Sequence, residues 1–518
     1  MSELATVILA AGLGTRMKSD KAKVLHAVAG RPMIEYPVAM ARALGSGRVV
    51  CVLGHQADAV RAAVEAKFGA GAVEVAIQAE QRGTGHAVLQ VEPLLGSHDG
   101  LVLILYGDTP LLTQPVLERL VREANDQTVT LMTARFADPS GYGRVVRDGS
   151  GKFVRIVEDK DANADEKRIS EINAGIYCGP AKFFFETLKS VDARNAQGEI
   201  YLTDVMERAA RELSVVIVEA AADEVMGCND RVDVAKADRV VRLRLATELM
   251  KAGVGVRDPE QLFVEPGVQV GRDTLLGPNV QLRGNVVIGA GCTIEQGVVI
   301  SDCTIGDRVH VKPHCVLTES TIGSGAQIGP WAHIRPASVV EDDVHLGNFV
   351  EIKKTRMRKG AKANHLSYLG DADIGEKVNI GCGTITCNYD GYVKSQTVVE
   401  AGAFIGSDTQ LVAPVTVGAG AVTAAGTTVY RDVPAGALAL TRPEIVFVEG
   451  WAERKRQRMT GGKGTNGVAH GVKAKPNYLS AKPKAPAKVL KKKKPAPKSK
   501  TASKTAPASR GKPARKRG

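Results

Sequence analysis

The sequence predicts an α/β unit on a mostly parallel sheet, then a parallel β-helix, then a disordered basic tail. Three observations carry this. Short apolar runs alternate with helix-like stretches over residues 1–231, the pattern of strands joined by crossover helices. Aliphatic residues then recur every six positions from Val264 onward, the period of stacked solenoid coils. Finally, residues 460–518 hold 18 Lys and Arg and no Asp or Glu.

Taken in order, Thr6–Ala10, Val49–Leu53, Val73–Ile77, Leu101–Leu105 and Val129–Thr133 are expected strands, with helical segments such as Pro37–Leu44 and Ala57–Phe68 between them. Residues 232–252 predict one amphipathic helix with Ala237, Val241, Leu245 and Leu249 on a single face, ended by Gly253 and Gly255. At 1.5 Å per residue it spans roughly 30 Å, a lever between two domains. The six-residue ladder runs from Val264 to Ile300, slips by one to Ile305–Leu317, and slips again to Ile322–Ile352. It resumes at Ile374, Ile380, Val399, Ile405, Leu411 and Val417, leaving gaps at 353–373 and 384–398. Both gaps are expected to be loops extruded from the solenoid, where function concentrates. The division is thus 1–231, 232–252, 253–459 and a tail from 460.

Composition narrows the class. Of the net charge of +13, the tail supplies +18, so the first 459 residues carry 13 − 18 = −5. A polyanion-binding reading attaches only to the tail, which has no aromatic platform beyond Tyr478 for base recognition. Too few large apolar residues remain there to offset chain entropy. The eight cysteines lack CxxC pairing, which points to thiols in a reducing compartment rather than a zinc ribbon. The N-terminus shows no secretory leader, and no apolar run is long enough to span a membrane. A cytoplasmic protein is expected.

Directly after the first strand, residues 9–23 read LAAGLGTRMKSDKAK. Gly12 and Gly14 give GxG, but Met17 stands where a dinucleotide fingerprint needs a third glycine, and no P-loop GK[ST] ending follows. Small residues let backbone N–H groups approach phosphate oxygens while Arg16 and Lys23 supply charge. On spacing alone a tight βα turn with surface cations fits equally well. Residues 78–84 read QAEQRGT and 106–108 read YGD at a strand end. Taken singly, Asp108 reads as a turn cap. In the second half, 364–371 reads NHLSYLGD after the cationic run Lys353, Lys354, Arg356, Arg358, Lys359 and Lys362, and 387–391 reads CNYDG.

GxGTRM followed by lysine, QAEQRGT and YGD resemble sugar-1-phosphate nucleotidyltransferases. With the hexapeptide β-helix, residues 1 to about 455 resemble the bacterial bifunctional family that joins an N-acetylglucosamine-1-phosphate uridyltransferase to a glucosamine-1-phosphate acetyltransferase. The resemblance implies a Rossmann-like first domain, a left-handed β-helix and a homotrimer with acetyl-transfer sites between neighbouring chains. It implies UTP, acetyl-CoA and glucosamine-1-phosphate as substrates, with no membrane partner, and Mg²⁺ held by Asp108 and Asn229. It assigns Leu9, Ala10, Ala11, Gly12, Lys23, Gln78, Gly83, Thr84, Tyr106, Gly107, Asp108, Gly143, Glu158, Asn173 and Asn229 to nucleotide and sugar. Arg16 and Lys23 stabilise phosphate charge.

For the second half, the resemblance makes His365 the general base on the attacking amine, a role suited to histidine's ionisation near neutrality. It assigns Arg335, Lys353, Tyr368 and Asn379 to the sugar phosphate. Cys382, Asn388, Tyr389, Ser407, Ala425 and Arg442 go to acetyl-CoA, with Asn388 and Tyr389 also counted toward the sugar phosphate. Two departures stand out: Lys21-Ala22 where the family commonly has Leu-Pro before the lysine, and Cys382 where alanine is usual. The lost proline is expected to loosen the phosphate loop. Two rival readings remain: a uridyltransferase whose β-helix is only a scaffold, and a polyanion-binding scaffold recruited by its tail.

Overall fold

The computed structural model describes residues 3–191, 198–442 and 444–460. The expected disorder and polyanion contacts of the tail from 461 lie outside these residues. The central sheet of the first half has the order Ser214–Glu219, Thr128–Arg135, Glu171–Pro180, Leu101–Tyr106, Leu4–Ala10, Arg48–Leu53, Glu74–Ile77. All neighbours are parallel except Glu171–Pro180, which runs antiparallel to both its partners. A hairpin of Arg144–Arg147 and Phe153–Val157 joins that strand off the main path. Near-continuous Val, Ile and Leu in Leu4–Ala10 and Leu101–Tyr106 follow from burial on both faces. One face packs around Ile8, Leu103, Leu105 and Val38, the other around Val7, Val102, Ile104 and Phe184.

Helix Arg231–Lys251 starts where the Asp230 carboxylate accepts the Val232 and Asp233 N–H groups, satisfying donors the first turn leaves free. Its apolar side chains serve two cores rather than one. Ala237 and Val241 pack with Val28, Met33 and Leu111 of the first half. Ala246, Leu245 and Leu249 pack against the first coils of the solenoid. Gly253 then takes φ +94°, the left-handed turn that ends the helix.

The solenoid has three sheets of 11, 10 and 9 short parallel strands. Each sheet stacks one inward aliphatic column, such as Leu276, Ile294, Val311, Ile328 and Leu346. The first expected gap is not a loop. Strands Arg356–Met357, Lys362–His365, Tyr368–Gly370 and Ala372–Ile374 continue the coils, with Met357, Ala363 and Leu369 filling the interior. Stepping five rather than six residues from Ile352 to Met357 hides the column from a fixed period. The second gap is a genuine excursion only between Asn388 and Gln396. Before it, Ile385–Cys387 forms a strand in register with Gln410–Val412, and Thr386 takes the inward position.

Among the described residues, no helix is long and apolar enough to cross a membrane. All eight cysteines are free thiols, six of them buried.

Candidate functional site

The first site lies at the carboxyl ends of the parallel strands, where an open α/β sheet leaves a crevice. Ten of the expected nucleotide residues line one cleft of about 310 Å³: Leu9, Ala10, Ala11, Gly12, Lys23, Gln78, Gly83, Thr84, Tyr106 and Asp108. Gly14 adopts φ +63°, and a Cβ there would sit 2.6 Å from the Lys23 Cβ. Only glycine lets the turn fold back on the lysine. Gly107 is buried, its N–H donating to the Leu9 carbonyl at 2.9 Å, which ties the two strand ends together.

Four groups converge at the mouth of the cleft. The Lys23 Nζ lies 2.5 Å from Asp108 Oδ2 and 3.0 Å from Asn229 Oδ1. Arg16 donates to the same Asn229 oxygen at 2.9 Å. The Cys228 N–H donates to the Asp108 carbonyl at 2.9 Å, and this bond brings Asn229 to Asp108 across the sequence. The carboxylate and the amide carbonyl are two hard oxygens aimed at one cation position, the donor chemistry Mg²⁺ takes together with phosphate oxygens.

The remaining expected sugar residues form a second wall behind Tyr106. The Asn173 N–H donates to the Gly143 carbonyl at 2.8 Å, and its amide donates to the Tyr177 hydroxyl at 2.8 Å. Glu158 accepts the Thr203 hydroxyl at 3.2 Å, and burial pushes its carboxyl above the usual range. Burial also raises Asp204, on the next turn, to about 6. Gln81, Val24, Ala87 and Glu199 line the cleft as well. Sequence reasoning missed them as site residues, although Gln81 sits inside the quoted QAEQRGT.

The lost proline has a visible replacement. The Ala22 N–H, which proline would lack, donates to Gln56 Oε1 at 2.8 Å, and the Gln56 amide also donates to the Asp20 carbonyl. The loop is pinned rather than loosened.

The second group lies on the outside of the solenoid. His365 ends strand Lys362–His365, directly opposite Asn348 on the neighbouring strand, with Nδ1 3.0 Å from Asn348 Oδ1. An amide oxygen only accepts, so Nδ1 is the donor, the arrangement that in the neutral ring leaves the lone pair on Nε2. His365 is therefore a strand residue, not the loop histidine that the apparent gap suggested. On the adjoining sheet Arg335 pairs with Glu351 at 2.7 Å, and Lys353 sits beside Lys394 and Arg335, which push its ammonium below its usual range. The Asn388 amide donates to Asp371 at 2.5 Å, and Tyr368 lies on the strand between. The excursion 388–396 closes through a Tyr389–Lys394 bridge, returning Lys394 to Lys353.

The cationic run does not form one patch, because a coil turns its residues onto three faces. Arg356 is paired with Glu341 and Arg358 doubly with Asp373 on the third sheet. Lys362 pairs in register with Asn379 on the first sheet, while Lys353 lies with Arg335. Cys382, Ser407 and Ala425 climb one edge above His365. The Gly383 N–H donates to the Leu366 carbonyl at 3.1 Å, Asp408 to Cys382 at 2.7 Å and Gly426 to Ser407 at 2.8 Å. Close stacking of Gly381 on Gly406 permits this, since a Cβ on Gly381 would lie 2.6 Å from the next coil's backbone. Thr441 bonds the Gly426 carbonyl at 3.1 Å and carries exposed Arg442 to the next level.

Fold and comparisons define a transferase with a nucleotidyltransferase domain followed by a β-helical domain. Residues 6–155 match the MobA-like NTP transferase domain family and 259–364 the GMPPB C-terminal domain family. The chain is 52% identical over 462 residues to the bifunctional protein GlmU of Pelobacter propionicus, covering 88% of this chain and 100% of that protein. It is 51% identical over 461 residues to the namesake of Trichlorobacter lovleyi (88% and 99%) and 50% over 453 residues to that of Anaeromyxobacter sp. (88% and 93%). The chain belongs to the GlmU family of bifunctional enzymes, transferases with uridyltransferase and acetyltransferase activities.

Proposed function

We propose that the chain makes UDP-N-acetylglucosamine in two steps, using the centres in sequence. The solenoid face acetylates glucosamine-1-phosphate from acetyl-CoA. The cleft then joins the product to the uridylyl group of UTP and releases pyrophosphate. The product class supplies cell-wall peptidoglycan and, where present, lipopolysaccharide. The observation that carries this reading is the convergence of Lys23, Arg16, Asp108 and Asn229 on one point beside the glycine-rich turn.

On the solenoid, His365 Nε2 takes a proton from the substrate amine as nitrogen attacks the thioester carbonyl; the carbon–sulfur bond then breaks and CoA leaves as its thiol, taking that proton from the imidazolium. Asn348 keeps the ring in the tautomer that leaves Nε2 free. Lys353, crowded by Lys394 and Arg335, is eager for an anion, and the substrate phosphate supplies one. Cys382, Ser407, Ala425 and Arg442 provide an edge along which an extended pantetheine can lie.

In the cleft no covalent nucleophile is needed, because in-line attack on the α-phosphorus depends on positioning and charge neutralisation. Gly12 and Gly14 admit the phosphates, and Arg16 and Lys23 stabilise the charge on the departing pyrophosphate. Asp108 and Asn229 are the residues that would hold Mg²⁺, which when bound neutralises phosphate oxygens. Gln78, Gly83 and Thr84 shape the base end; Glu158, Asn173 and Gly143 face the sugar.

The assembly proposed is a closed trimer in the cytoplasm. An exposed apolar ladder supports it: Trp331, Phe349 and Leu366 stand on successive coils at one corner, with the Trp331 and Phe349 rings stacked at 5.9 Å. Purified protein given Mg²⁺, UTP, glucosamine-1-phosphate and acetyl-CoA should yield UDP-N-acetylglucosamine by mass, and only when acetyl-CoA is present. If product formed only from supplied N-acetylglucosamine-1-phosphate, and never from glucosamine-1-phosphate with acetyl-CoA, the solenoid would be reduced to a scaffold.

A further inference from the structure

We propose that Lys23 is a place-holder in the metal position of the cleft, so that a divalent cation binds with the nucleotide and not before it. This rests on the reading of the cleft as a metal-assisted nucleotide site. The Lys23 ammonium bridges the two oxygens that would ligate the metal, at 2.5 Å from Asp108 Oδ2 and 3.0 Å from Asn229 Oδ1. Arg16 takes a second position on the same Asn229 oxygen at 2.9 Å. An amide oxygen has two lone pairs, and both are engaged here. A dication therefore gains Asn229 only by breaking a bond already made, and it approaches two positive charges.

The lysine is built to move. Its backbone is held at both sides, by Ala22 on Gln56 and by Leu25 N–H donating to the Ala22 carbonyl at 3.0 Å. The four-carbon stem can swing while the Cα stays in place. Phosphate oxygens entering the glycine-rich turn offer Lys23 and Arg16 stronger acceptors than an amide, which frees Asn229 and Asp108. Linkage makes the effect reciprocal, since whatever factor nucleotide adds to metal affinity, metal adds to nucleotide affinity. The same side chain thus changes partner, from a protein carboxylate to a phosphate once nucleotide enters the cleft.

The test uses the full chain with Mn²⁺ as probe, and water-proton relaxation, which rises when Mn²⁺ is immobilised on protein. Without nucleotide, wild type should bind Mn²⁺ weakly, and Lys23→Met should bind it about tenfold tighter or more, as removal of a charge at contact distance implies. Lys23→Arg, which keeps the cation, should behave like wild type, and Lys23→Ala is carried in parallel as a second neutral variant. With UTP, wild type should show the full enhancement. If neither neutral variant gains Mn²⁺ affinity while UTP still brings Mn²⁺ onto wild type, the place-holder is refuted and the cleft reading stands. If UTP brings no Mn²⁺ onto wild type, the metal reading of Asp108 and Asn229 fails and takes the place-holder with it.

Discussion

Replacing Asn348 by aspartate turns the neutral acceptor behind His365 into a charge, and the structure sets the size of the effect. The two groups are 3.0 Å apart and exposed. In a water-like dielectric, a pair at such range attracts by about 1 kcal/mol, a lower bound where a neighbouring chain covers the pair. That favours the imidazolium, and at 1.36 kcal/mol per pH unit it displaces a titration by about 0.7 unit. If His365 is the base, acetyl transfer rises with pH to a plateau as the ring loses its proton. In Asn348→Asp the acidic limb of kcat/KM should move to higher pH by that amount, while the plateau holds because the carboxylate still accepts the Nδ1 proton. Asn348→Ala removes the acceptor, so the limb should stay and the plateau should drop about fivefold to tenfold, the worth of one orienting hydrogen bond. The assay is CoA thiol release between pH 5.5 and 8.5, with uridylyl transfer as the internal control. An unmoved limb in Asn348→Asp would show that the titrating base is another group.

Asp204, raised by burial to about 6, binds its proton more tightly folded than unfolded. Stability therefore falls as pH rises through the window between about 4 and 6 and stays lowered above it. Asp204→Asn should raise Tm at pH 7.5, by a gain of about 2 kcal/mol, and leave it unchanged near pH 4. The buried Thr386 hydroxyl accepts the Gly370 N–H at 2.7 Å. Thr386→Val, which orphans that donor, should cost about 1–3 kcal/mol in denaturant unfolding, and Thr386→Ser should keep the bond. Gln56→Ala and Ala22→Pro break the same 2.8 Å bond. Their effects on hydrogen exchange in 18–25 should fall short of additive by about 1 kcal/mol.

How much of this was legible in the sequence depends on how far each feature reaches along the chain. The inward aliphatic positions are local, six residues from one face to the next, and burial leaves little freedom to vary them. Where the step shortens to five at Met357, and alanine fills the column at 363, the same coils look like a loop. Strand Glu171–Pro180, buried between two neighbours yet antiparallel to both, has no pattern that separates it from a parallel strand. The convergence on Asn229 spans 206 residues from Lys23 and becomes visible only through a backbone bond from Cys228. The cationic run misleads for the opposite reason. Residues adjacent in sequence point away from one another when each coil wraps three faces, so local density of charge says little about charge in space.

The solenoid's construction also bears on the proposal that its site uses a second chain. Its interior is filled by stacked aliphatic side chains and a few Thr and Ser hydroxyls bonded to backbone, so the charged groups lie outside, and His365 and Asn348 face solvent in the single chain. Beside them Leu366, Phe349 and Trp331 expose more than half of their surface, a stripe that a lone soluble chain has no reason to keep. A neighbouring copy packed on that corner would bury the stripe and cover His365 together. Phe349→Glu places a charge in the middle of the ladder, where burial without a partner costs several kcal/mol. The variant should sediment as a monomer and lose acetyl transfer while uridylyl transfer continues, because the cleft lies wholly within one chain. A monomeric variant that still acetylates would separate the stripe from the site and return the solenoid face to a single-chain centre.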